Sequence, residues 1–183
     1  YLHGFEEGIL PETFLSMVRE FQFGEVTIAR VHYALNEAPS FKSGSDMDKT
    51  AFQRIFGTVA DIDRQYQEMA MGLAPSDPFL WTAAWTRMDS TRAPEGKHTL
   101  IMDTFVPVEL ASGEDWEDIA KDYIQDKLLG QLRNYTTNMS DDNILAEYVE
   151  TGPSLARANL CFYRGVTTGG ERTLAQLGPF RPF

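Results

Sequence analysis

Between Asp115 and Tyr135, Trp116, Ile119, Ala120, Tyr123, Ile124, Lys127, Leu128, Leu132 and Tyr135 recur at the i, i+3, i+4, i+7 spacing of an amphipathic helix. Asp115 or Ser112 can cap its start, and Glu117 and Asp118 suit the positive end of its dipole. Such a stripe needs an apolar layer to lie on, and the flanking sequence supplies one as strands. "EVTIARVHYALNEAP" (25–39) alternates roughly through Val26, Ile28, Val31, Tyr33 and Leu35; a phase break near Ala29 and Arg30 reads as a bulge, and Pro39 closes the run. "FLWTAAWTRMDS" (79–90) reads as a second long strand. "TRAPEGK" turns the chain, with Gly96 free to take positive φ, and "HTLIMDTFVPVEL" (98–110) returns antiparallel to it.

The remaining elements are shorter. Pro11 opens a helix that carries Phe14, Leu15, Met17, Val18 and Phe21. "SFKSGSDMDK" (40–49) is a polar loop, "QRIFGTVA" (53–60) a short strand, and "DIDRQYQEMAMG" (61–72) a helix stopped by Gly72. "NILAEYVETGP" (143–153) is a strand and "SLARANL" (154–160) a helical turn, followed by a Gly-rich tail that includes the turn "GVTTGG". Strict β-α-β alternation is missing. The expected fold is therefore α+β, with a mixed, largely antiparallel sheet flanked by helices, in a single domain over 1–183.

With 12 % aromatic residues the chain can bury a substantial core, while its formal net charge of −11 argues against nucleic acid or an anionic membrane as partner. No window approaches the roughly 18 consecutive apolar residues of a membrane span, so no integral membrane segment is expected. Cys161 is the one cysteine, set in the apolar "NLCFYRG"; it reads as a small buried hydrophobe in a reducing, cytoplasmic setting.

Chemistry-bearing motifs are scarce. No G-x-G-x-x-G or G-x-x-x-x-G-K-[ST] is present, so no phosphate-cradling loop is encoded. His3, His32 and His98 lack metal-ligand spacing, and His32 and His98 read as hydrogen-bonded sheet residues. No catalytic residue and no metal site is assigned. Trp81 and Trp85, four apart in the expected strand, fall on one face; they read as core or as the wall of an apolar ligand cavity, with Phe105 and Tyr163 as further pocket candidates.

Four stretches, in order, resemble the phytoene desaturase-like flavin oxidoreductases, which include carotenoid desaturases and related pyridine-nucleotide-disulfide-oxidoreductase-domain proteins. They are "FGEVTIARVHYALNEAPSF", "APEGKHTLIMDTFVPVELASGEDW" with the helix after it, "ILAEYVETGPSLARANL" and "TGGERTLAQLGPFRP". Pro94, Gly96, Lys97, His98, Gln176, Arg181 and Pro182 occupy family-motif positions. Gly152-Pro153 replaces the family's Thr-Pro, and the flavin-binding Rossmann part with its Gly-rich loop is absent.

The resemblance implies a substrate-binding domain cut from a longer FAD-dependent oxidoreductase of the dehydrogenase or desaturase type. FAD would be held by the missing domain, and this domain would shape a cavity for an apolar small molecule. The parent would be cytoplasmic, at most peripheral to a membrane, and the isolated piece inactive. The rival reading is a free-standing binding or interaction module without redox activity.

Overall fold

A computed structural model describes residues 8–177. Five strands form one sheet: β1 (Val26–Leu35), β2 (Phe52–Ile55), β3 (Leu80–Ala83), β4 (His98–Pro107) and β5 (Ile144–Glu150), in the order β2-β3-β4-β1-β5. Every neighbouring pair is antiparallel. The helices are α1 (Glu12–Arg19), α2 (Ser45–Asp48), α3 (Val59–Ala70), α4 (Trp116–Tyr123), α5 (Gly130–Tyr135) and α6 (Gly152–Ala158). The fold is α+β, an antiparallel sheet flanked by helices, as the pattern of periods predicts.

At the centre β1 and β4 pair without a break from Val26↔Pro107 to Leu35↔His98. Alternate side chains of the two strands, Ala29, Val31, Tyr33 and Leu35 with Leu100, Met102 and Val106, enter a common core. Trp116, Ala120, Ile124, Leu128, Leu129 and Leu132 of the long helix cover them. Full burial of each large aliphatic side chain contributes about 1.5–3 kcal/mol. The indole Nε1–H of Trp116 donates to the Pro107 carbonyl at 2.8 Å, which ties the helix start to the end of β4.

The stripe deviates from the expected spacing in one place. Ile124–Leu129, between α4 and α5, winds as a π-helix. Its wider turn shifts the phase of the stripe by one residue. As a result the adjacent Leu128 and Leu129 are both fully buried.

Local chemistry fixes the ends of the shorter helices. Thr58 and Asp61 form a reciprocal capping box at α3, Thr151 and Ser154 another at α6, and Asp115 accepts from the Glu117 amide at α4. Behind α6 the chain makes a close approach. Gly165 has φ +77°, its carbonyl accepts from Thr27 Oγ1 at 2.7 Å, and a Cβ there would overlap the Gly152 backbone.

Three expectations need correction. The phase break near Ala29 and Arg30 is not a bulge, since pairing with β4 runs straight through it; the irregularity is against β5, between Ala34 and Leu35. The pattern breaks because Thr27, Ile28 and Ala29 are all buried, so this end of β1 is covered on both faces. The second long strand is short: β3 ends at Ala83, and Trp85–Arg87 and Ser90–Arg92 are 3₁₀ turns. Polar ties pull this segment away, with Thr86 bonded to His98 and Arg87 donating to the Pro39 carbonyl. Cys161, finally, is exposed, because the turn after α6 carries it outside the core.

Leu128, which is fully buried, should cost about 2–5 kcal/mol of stability on truncation to Ala, whereas Leu174, 85 % exposed, should cost under about 0.5 kcal/mol. Urea unfolding of the two variants tests whether Leu128 sits in the core beneath the sheet while Leu174, in the 3₁₀ turn Leu174–Gln176, stays outside it.

Candidate functional site

Between the core positions of each strand lie residues that point to the other face of the sheet. The register lines them up in rows across the strands. One row takes a residue from each strand: Arg54, Trp81, Asp103, Arg30 and Glu150. The next is Phe52, Ala83, Ile101, His32 and Tyr148. A third is built of small side chains, Thr99, Ala34 and Ala146.

The first row is aromatic at one end and ionic at the other. The Arg54 guanidinium lies 4.6 Å from the centre of the Trp81 ring and 5.4 Å from that of Phe52. Trp81 meets Phe105 edge-on at 5.3 Å, and Phe105 meets Phe79 at 5.9 Å. At the ionic end, Asp103 Oδ2 accepts from Arg30 Nε at 2.9 Å and Nη2 at 2.6 Å. Arg30 Nη1 is 3.8 Å from Glu150, whose Oε2 is 2.9 Å from His32 Nε2.

Each charge in this chain of contacts has an opposite neighbour, which is what makes partial burial of four ionisable groups tolerable. Burial still pushes the Asp103 carboxyl above the ordinary carboxylate range; the Arg30 guanidinium opposes the shift without cancelling it.

The row of small residues leaves a trough, and the connection from β3 to β4 walls it. A cleft of about 510 Å³ results, lined by His32, Ala34, Thr99, Ile101, Ala146 and Tyr148 from the sheet and by Trp85 and Arg92 from the wall. That size is typical of small-molecule sites. Phe105 and Val26 line a smaller cleft of about 240 Å³ with Tyr66, Thr167, Thr168 and residues 170–172.

The four aromatic pocket candidates divide three ways. Trp81 and Phe105 touch on the open face. Trp85 is not on Trp81's strand face, since it lies in the 3₁₀ turn, but from there it walls the cleft. Tyr163 is elsewhere, packed on Phe23 with ring centres 4.3 Å apart.

Pro94, Gly96, Lys97, His98 and Gln176 act as fasteners. The Lys97 amide donates to the Pro94 carbonyl at 2.9 Å across Gly96, whose φ of +70° suits the third position of a type II turn. Lys97 Nζ donates to Asn36 Oδ1 at 2.7 Å and His98 Nδ1 meets Thr86 Oγ1 at 3.1 Å, so this turn holds the cleft wall against the strands. Gln176 pairs with both backbone groups of Gln22, at 2.6 and 2.9 Å, and pins the tail. Arg181, Pro182 and His3 lie outside the described residues.

Sequence reasoning missed Arg30, Asp103, Glu150, Tyr148 and Arg92, and left His32 as a plain sheet residue. The available signal was a charge in the middle of an apolar strand, as with Arg30 in β1 and Asp103 in β4.

Comparison with models of known protein families and with curated proteins finds no match. Among the described residues no helix is long and apolar enough to cross a membrane, and no group of three or more His, Cys, Asp or Glu side chains could hold a metal ion. Among the described residues, two of the helix starts are poorly suited to the diphosphate of FAD. The starts of α3 and α4, where an anion would be favoured, already carry Asp61 and the trio Asp115, Glu117 and Asp118.

Asp103 gives a pH test. A carboxyl whose pKa is higher folded than unfolded retains more protons in the native state, so stability falls as pH rises through the interval between the two values. Removing the opposing cation with Arg30→Met should widen the interval and steepen that fall above about pH 4. Urea unfolding across a pH series should show the variant diverging from wild type toward neutral pH; parallel curves would contradict the pairing.

Proposed function

We propose that this chain is the substrate-binding part of an FAD-dependent oxidoreductase of the phytoene desaturase-like kind. It shapes a surface for an apolar molecule that is dehydrogenated or otherwise oxidised, while sequence outside these 183 residues holds the flavin. The observation that carries this reading is the open face of the sheet, with its aromatic and aliphatic side chains set around a cluster of ionisable groups that are partnered with one another. An apolar substrate gains roughly 25 cal/mol for each Å² it buries, and loses that gain if it buries unpaired charges. The Arg30, Asp103, Glu150 and His32 contacts leave no such charge in the cluster. The ordered resemblance of four sequence stretches supports the same reading, and the acids at the starts of α3 and α4 are in keeping with a flavin held elsewhere.

A free-standing binding module is the competing reading, favoured by the lack of a G-x-G-x-x-G or G-x-x-x-x-G-K-[ST] motif in the sequence. Flavin retention separates the two. The 183-residue chain should elute colourless from gel filtration after incubation with FAD, while the protein expressed from the longer reading frame should elute yellow with about one FAD per chain. A stoichiometrically loaded 183-residue chain would refute the division of labour. A longer protein without flavin, or a reading frame that stops at both ends of this chain, would refute the oxidoreductase assignment.

A further inference from the structure

The cleft and the charged row meet at His32. Its Nε2 is held by Glu150 Oε2 at 2.9 Å, Glu150 is 3.8 Å from Arg30, and Arg30 is fastened to Asp103. A carboxylate only accepts, so in the neutral form of the ring the proton sits on Nε2 and Nδ1 is left as an acceptor. His98 uses its Nδ1 on Thr86, whereas no hydrogen bond reaches Nδ1 of His32 among the described residues. The His32 side chain is 37 % exposed and lines the cleft. Beside it stands the Tyr148 ring, its centre 6.1 Å from the imidazole, and Trp85 lines the wall. Both aromatics are substantially exposed, at 62 % and 40 %.

We propose that the cleft binds a flat aromatic or conjugated molecule bearing a hydroxyl. Its ring lies against Tyr148 and Trp85, and its hydroxyl donates to Nδ1 of His32. Glu150, with Arg30 and Asp103 behind it, positions the imidazole so that the acceptor faces the ligand. The aromatic walls favour a planar ring. The acceptor adds selectivity: a hydrocarbon of the same shape covers Nδ1 and leaves it unpaired, which penalises binding. This site stands on the geometry of the cleft alone and holds whether or not a flavin reaction takes place on this face.

The test uses the isotope-labelled 183-residue chain at mildly alkaline pH, with 2-naphthol and naphthalene as probes followed by NMR. Saturable shifts of the His32 and Tyr148 rings are expected with 2-naphthol, at an affinity roughly tenfold or more above that of naphthalene. His32→Phe keeps a flat ring but removes the acceptor, and should bring 2-naphthol down to the naphthalene level. Ala34→Leu fills the floor and should abolish both; circular dichroism checks that the fold is intact, and His32→Phe decides the question alone if it is not. Equal affinity for the two probes, an unchanged 2-naphthol affinity in His32→Phe, or no saturable shift at the cleft would each overturn the proposal.

Discussion

The unbroken pairing of β1 with β4 decides most of what surrounds it. Side chains alternate along a strand, so one register settles both faces at once. With Val31 opposite Met102 the core closes under the long helix, and with Arg30 opposite Asp103, one position away, the ion pair falls on the other face. A slip of β1 by one residue would carry Arg30 into the core, away from Asp103, and turn Val31 and Tyr33 outward. Core burial and ionic pairing select the same register, which is the agreement between levels expected of a sequence with one native state.

The division of labour between the faces follows. On the helix side, large aliphatic residues and Trp116 exclude water and supply most of the stability. On the other side the sheet is chemically mixed: aromatic toward β2 and β3, ionic at the centre, and hollow toward the His98 end of β4, where Thr99, Ala34 and Ala146 leave room. The wall of the hollow is not part of the sheet. It is held by the Pro94–Lys97 turn and by Thr86, His98, Lys97 and Asn36, which fasten it to the strands.

Local period and end chemistry were legible in the sequence, because both are short-range. The alternation of β1 and β4, the stripe from Trp116 onward and the positive φ at Gly96 need only neighbours within a few residues. The partners were not legible. Arg30 and Asp103 are 73 positions apart, and His32 and Glu150 118 apart, so nothing in either stretch names the other. Trp85 misled for a related reason: "WTAAWT" has the composition of a strand, and contacts to Pro39 and His98 override it. The exposure of Cys161 likewise depends on the turn after α6 and not on its apolar neighbours.

The most direct test of this two-faced sheet is hydroxyl-radical footprinting of the intact chain, read residue by residue along β1, β4 and β5. Tyr148 and Trp85, at 62 % and 40 % exposure, should be modified readily, while Tyr33 and Met102, at 1 % and 0 %, should be untouched. Protection of Tyr148 and Trp85 to the level of Tyr33 would mean that the face is covered, and modification of Met102 would mean that the register is wrong.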